Sequence, residues 1–241
     1  MVARVPNLLR SLIMIQFVFL DLDDTILDFK RTEHECITKT LLAFGIEPSE
    51  KTVARYSEIN ASLWKKLEKG EIKREHVLSE RFRALLRELG RVESYQDMRI
   101  VYENSLAESY FTLDGAKELL SSLYGRYRLF VASNGIAKVQ RKRIHGSDIG
   151  KYFEDIFISE ELGSEKPSAL FFDKAFKTIK GFRKEHAIIL GDSLSSDIKG
   201  GIAAGIKTCL FNPQRKRNES DIRPTFEIRR LSEFETLLAN I

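Results

Sequence analysis

The chain has almost no cysteine. Only Cys36 and Cys209 occur in 241 residues, in segments that read as a helix and a strand. Two isolated thiols exclude a disulfide-built fold and read as reduced packing residues of a cytoplasmic protein. Long apolar runs are missing as well. No segment approaches the roughly 18 apolar residues a membrane span needs, so no membrane partner is expected. Neither sign of charge dominates: the formal net charge is only +4, too small an excess to argue for a nucleic-acid partner. The densest basic spots, QRKR at 214–217 and RKR at 141–143, read as solvated faces. The histidines, His34, His76, His145 and His186, show no ligand spacing such as H-x-x-x-H. Repeats and low-complexity stretches are absent too. What remains is a soluble globular composition, with 43% apolar and 31% charged residues.

The apolar residues come in two styles. IQFVFLDL (15–22), YRLFVASN (127–134), DIFIS (155–159), AIILGD (187–192) and KTCLFN (207–212) are short and nearly continuous, as strands buried on both faces are. Helix-length segments ending in glycine lie between them, at 115–125, 168–181 and 195–205. Strand alternating with helix predicts an α/β fold, a doubly wound, Rossmann-like parallel sheet. From about 30 to 112 the alternation stops and only helical periodicity remains. Ile37, Leu41 and Phe44 share one face, Val53, Tyr56, Leu63 and Leu67 a second, and Val77, Phe82, Leu85 and Leu89 a third. Ser49 is placed to cap the second helix, and a fourth covers 94–110. The expected organisation is an N-terminal extension at 1–13, with translation starting at Met14 as one reading. An α/β core follows at 14–28 and 113–241, and an inserted α-helical bundle cap at 29–112.

Polar residues gather where these strands end, which is where doubly wound sheets bind ligands. Asp21 and Asp23 close the first strand, Ser133 and Asn134 the second, and Asp192 a later one, while Lys166 precedes a helix. Carboxylates crowded at the end of a buried strand need positive charge among them. The residue types suit phosphoryl transfer. One carboxylate can attack phosphorus, and a second can protonate the leaving oxygen and then activate water. Clustered acids with oxygen-only donors suit Mg²⁺, and Ser133, Asn134 and the amides after Gly135 can hold phosphate oxygens.

In order, DLDDT (21–25), SNG (133–135), Lys166 and GDSLSSD (191–197) resemble the four motifs of the haloacid dehalogenase-like hydrolase superfamily. The resemblance spans about 14 to 241. It implies Asp21 as nucleophile and Asp23 as general acid/base. It also implies Mg²⁺ held by Asp21, the Asp23 backbone carbonyl and Asp192. Lys166 and Ser133 with Asn134 would bind phosphate, Asp197 would support the site by orienting Lys166, and Thr25 would support the first loop. NASLWKKLEKGEIKREHVLSERF (60–82) and ISEELGSEKPSALFFDKAF (158–176) further resemble the bacterial pyrimidine 5′-nucleotidase branch, which implies a nucleoside monophosphate as substrate. Asp23 itself argues against halide displacement, since halide leaves without a proton and an alkoxide does not. A phosphatase for phosphoglycolate or a sugar phosphate, and a non-catalytic phospho-ligand-binding regulator, are the competing readings. Trp64 either stacks on a base or packs the bundle core. Arg81 and Lys73 either touch a substrate or, the favoured reading, lie on solvated helix faces.

Overall fold

The computed structural model describes residues 14–241, and the expected extension at 1–13 lies outside the described residues. The chain divides into two compact units. One comprises residues up to Leu27, Thr112–Gly135 and Ile149–Ile241, and the other Asp28–Phe111 and Ile136–Asp148.

The first unit is built on six strands: β1 (Phe17–Leu20), β2 (Arg128–Ser133), β3 (Asp155–Ile158), β4 (Ala187–Gly191), β5 (Lys207–Phe211) and β6 (Phe226–Ile228). They pair in the order β3-β2-β1-β4-β5-β6, all in parallel. This is the doubly wound order expected of the fold class. Every residue of β1 and β4 is buried, which explains why these strands read as continuous apolar runs rather than alternating ones. One side of the sheet is packed with aromatic rings. Phe19 stacks on Phe130 with centroids 5.1 Å apart and meets Phe176 edge-on at 5.4 Å. Phe172 and Phe176 come from a helix that crosses back between β3 and β4.

Four long helices make most of the second unit: α1 (Phe29–Ala43), α2 (Glu50–Glu68), α3 (Arg74–Glu88) and α4 (Tyr95–Ala107). The Ser49 hydroxyl accepts the Thr52 amide at the start of α2, satisfying a donor the helix cannot. Cys36, Ile37, Tyr56, Val77, Phe82, Leu85, Met98 and Tyr102 fill the centre. Trp64 is half-buried and packs against that core.

Chain order then gives α5 (Ala116–Leu123), α6 (Ala137–Gly146), α7 (Ser159–Leu162), α8 (Ala169–Thr178), α9 (Lys199–Ala204) and α10 (Leu231–Leu238). Two expectations need correction. The α/β core was placed over all of 113–241, yet α6 groups with the helical unit. The reason is packing and one buried hydrogen bond: Val139 joins the apolar centre, and the Arg143 Nε donates to the Ser109 carbonyl at 3.1 Å. Arg81 is not solvated but almost fully buried. Lys73 is exposed, as expected, just ahead of α3. Among the described residues no helix is long and apolar enough to cross a membrane.

Candidate active site

The reversal of strand order falls between β1, which is flanked by β2, and β4, which leads on to β5. A crevice forms at the carboxyl end of the sheet at such a point. Asp21 follows β1 directly and stays in register, its amide donating to the Leu190 carbonyl at 2.9 Å. Asp192 follows β4. The two strands are hydrogen-bonded neighbours, so residues 171 positions apart in number arrive side by side.

Beyond Asp21 the chain closes a tight turn. The amides of Ile26 and Leu27 both donate to the Leu22 carbonyl, at 2.9 and 2.7 Å. Asp24 takes a positive φ of 57°, a conformation that aspartate tolerates better than most residues. The Thr25 hydroxyl, fully buried, faces Asp21 Oδ2 at 3.4 Å. Asp23 is half-buried in this turn and bridges to Leu27.

After β4 the chain enters a π-helical turn over Leu194–Ile198, capped by the Ser193 hydroxyl on the Ser196 amide. Single π turns of this kind are frequent at functional sites. The turn points Asp197 back toward the sheet, where its Oδ2 accepts the Ser193 amide at 3.1 Å. Gly191 makes this possible. A Cβ there would lie 2.3 Å from the Asp197 Cγ, so any side chain would expel the carboxylate.

Lys166 ties these pieces together. Its Nζ donates to Asp21 Oδ1 at 2.6 Å, to Asp197 Oδ1 at 2.6 Å and to the Ala132 carbonyl, and only 1% of the residue is exposed. Its backbone is fixed by Asn134, whose Oδ1 accepts the Lys166 amide and whose Nδ2 donates to the Lys166 carbonyl, both at 2.9 Å. The buried Ser133 hydroxyl accepts the Gly135 amide at 3.1 Å. Asn134 and Ser133 thus hold the loop after β2 in register with the lysine.

Burial alone would draw the Lys166 ammonium down in pKa. The carboxylates of Asp197 and Asp21 outweigh it, so the group is shifted upward and stays charged. At Asp21 burial is again the largest influence and pushes the carboxyl well above its usual range. Lys166 pulls it down, while Asp197 and Asp192 push it up. One ammonium therefore leaves negative charge in excess. One carboxylate oxygen each from Asp21, Asp192 and Asp197 lie within 4.8 Å of one another. The donors are all oxygen, two of the acids are buried and the third is exposed, a set that fits a hard cation such as Mg²⁺ with room for its waters. The Asp23 carboxylate is not a member of this trio.

A parallel doubly wound sheet that brings acids and one buried lysine to its switch point defines a carboxylate-centred hydrolase of the α/β class. The chain belongs to the haloacid dehalogenase-like hydrolases, whose family pattern matches residues 18–211. It is 39% identical over 218 residues to the HAD-hydrolase YfnB of Bacillus subtilis, covering 90% of this chain and 93% of that one. The magnesium-bound crystal structure of YfnB superposes with a TM-score of 0.90 at 38% identity. It covers 95% of this chain and 100% of the other. The pyrimidine 5′-nucleotidase PynA of Streptococcus pneumoniae is 38% identical over 214 residues, 88% of this chain and 90% of its own. The pyrimidine 5′-nucleotidase YjjG of Escherichia coli is 28% identical over 222 residues, 92% and 97% of the two chains.

Asp197, expected in a supporting place beside Lys166, accepts from the Lys166 Nζ at 2.6 Å and also brings a carboxylate oxygen within 4.8 Å of one each from Asp21 and Asp192. The demand for glycine at 191 is what sequence reasoning missed. Its signal was available, because a glycine closing a strand interior marks close approach of another group.

Proposed function

We propose that this phosphatase removes phosphate from nucleoside 5′-monophosphates with a pyrimidine base, through a phosphorylated Asp21. The observation that carries the reading is the position of Asp21: a buried carboxylate at the sheet's switch point, held by a charged lysine and facing two further acids. The likeness to PynA and YjjG supports the pyrimidine nucleotide.

In this reading an Asp21 carboxylate oxygen attacks phosphorus while the bond from phosphorus to the nucleoside 5′ oxygen breaks. Asp23 gives its proton to that oxygen, which leaves as the nucleoside hydroxyl. Asp23, now a carboxylate, takes a proton from water, and the resulting hydroxide attacks phosphorus. The bond to Asp21 breaks, inorganic phosphate is released and Asp21 is restored. Lys166 stays charged throughout and offsets the negative charge of Asp21 and of the phosphoryl oxygens. Ser133 and Asn134, at the end of β2, bind the remaining oxygens. Mg²⁺, held by Asp21, Asp192 and the Asp23 main-chain carbonyl with Asp197 beside it, would supply electrostatic stabilisation of the phosphoryl charge. The magnesium in the YfnB structure supports that choice of ion.

Phosphate release is the direct test, measured on UMP, dTMP, 2-phosphoglycolate and a hexose phosphate, with Mg²⁺ and with excess EDTA. Turnover of UMP and dTMP that EDTA abolishes and Asp21→Asn removes is the expected result. Strong turnover of a sugar phosphate with none of either nucleotide would reject the nucleotidase reading and leave the phosphatase.

A further inference from the structure

The basic run at 214–217 has no part in the chemistry above, yet its place in the fold is specific. Register along the sheet pairs Gly191 of β4 with Leu210 of β5, and Phe211 with Ile228 of β6. Asp192 therefore lies level with Phe211, and Arg229 level with Asn212, whose amide donates to the Ile228 carbonyl at 2.8 Å. The turn that leaves β5 thus opens one strand spacing, about 4.8 Å, across from the strand that ends at Asp192. It belongs to the same compact unit as Asp21, Lys166 and Asp192.

Asn212 shapes that turn. It is buried, its Oδ1 accepts the Lys216 amide and its Nδ2 donates to the Lys216 carbonyl, both at 2.9 Å. Its own carbonyl accepts the Arg215 amide at 3.2 Å. An asparagine that holds both main-chain groups of one residue makes an ordered turn. Arg215, Lys216 and Arg217 are exposed, and their side chains make no ion pair or hydrogen bond among the described residues. Arg229 and Arg230, exposed at the end of β6, stand at the same edge, where Arg230 pairs with Glu233 at 3.0 Å. Glu227 is turned to the Asn212 amide nitrogen at 3.0 Å. From Asn212 to Glu233 six cations face four acids, the others being Arg223, Glu219 and Asp221.

The crevice beside this edge has the opposite sign. Asp21, Asp192 and Asp197 stand there against one ammonium, Lys166. A phosphate dianion that approaches meets those carboxylates first as repulsion. Positive charge at the rim of a cleft counters this, raising the local concentration of an anionic ligand and its rate of arrival.

We propose that the Arg215–Lys216–Arg217 turn steers phosphate-ester dianions toward the crevice and so speeds their capture, leaving the chemical step untouched. The inference rests on the phosphatase and not on the pyrimidine preference, because any dianionic ester feels the same field.

The test neutralises the turn in the full chain with Arg215→Gln, Lys216→Gln and Arg217→Gln combined, and reverses it with Arg215→Glu and Arg217→Glu combined. Exposed substitutions of this kind change stability little, and a thermal melt establishes that each variant is folded. Rates on p-nitrophenyl phosphate and UMP are measured at fixed Mg²⁺, at about 20 mM and about 0.5 M ionic strength, between which the Debye length shrinks from about 20 Å to about 4 Å. At low salt kcat/KM is expected to fall about 3- to 10-fold in the neutral variant and further in the reversed one, with kcat unchanged. At high salt the three proteins are expected to converge. Equal kcat/KM at low salt, a deficit that persists at high salt, or a changed kcat overturns the proposal. Wild type that hydrolyses p-nitrophenyl phosphate but not UMP overturns the nucleotidase reading alone.

Discussion

Lys166→Met is the perturbation that reaches furthest into the site. Methionine preserves the length of the side chain and removes the charge. In the folded protein Asp21 and Asp197, at 7% and 1% exposed, each lose an ammonium partner at 2.6 Å, and the Ala132 carbonyl loses a donor. Removing one member of a buried ion pair costs about 3–5 kcal/mol, because the remaining charge stays uncompensated. Much of that cost comes from the carboxylates left behind, so it should shrink when one of them is neutralised. Asp197→Asn alone leaves Lys166 with Asp21 and is the milder change. The double variant should therefore be more stable than the sum of the single effects, by a coupling of about 1–3 kcal/mol. Urea unfolding of the four proteins in EDTA, followed by circular dichroism, measures the cycle. Additivity within about 0.5 kcal/mol, the scatter expected of independent sites, would refute the claim that one ammonium bridges both acids.

Two further predictions follow from packing and burial. Gly191→Ala puts a methyl group 2.3 Å from the Asp197 Cγ. Overpacking of this kind typically costs about 1–3 kcal/mol, and p-nitrophenyl phosphate turnover should fall with it; a wild-type melting temperature and rate would show that Asp197 is not confined as described. Burial pushes the Cys209 thiol up to about 12, and Cys36 is raised as well, again chiefly by burial. An unfolded thiol ionises near 8.5, so at about pH 9 a thiol reagent should label neither cysteine in native protein and both in urea. Rapid labelling of the native protein would contradict the buried placement.

The main outlines of both units could be read from sequence because they follow periodicity. β1, β2, β4 and β5 are buried on both faces and so wrote continuous apolar runs. The helical stretch carried one apolar face per helix. β6 escaped notice because it has three residues and exposes Glu227 in the middle, too short for any period to register. The membership of α6 in the helical unit was not legible either. An amphipathic helix reveals that it buries a face, not which partner receives it. Within the site, the carboxylates and Lys166 could be named from their types and strand-end positions. The motif resemblance placed Asp197 beside Lys166, as the 2.6 Å bond between them has it; the π turn and the space left by Gly191 that make the pairing possible are encoded in no local pattern. Arg81 shows the limit most clearly. A charged residue on a helix ordinarily faces water, whereas Arg81 is buried beside Asn60 of α2 and Glu103 of α4.

Chemical trapping of the phosphorylated enzyme tests the central claim most directly. Protein mixed with excess UMP and Mg²⁺ is quenched in acid within one turnover, digested and mapped by tandem mass spectrometry. The account predicts one PO₃ unit on the carboxyl of Asp21. A quenched enzyme that has released uridine yet carries the phosphoryl group on another residue, or on none at any time through the first turnover, would contradict it.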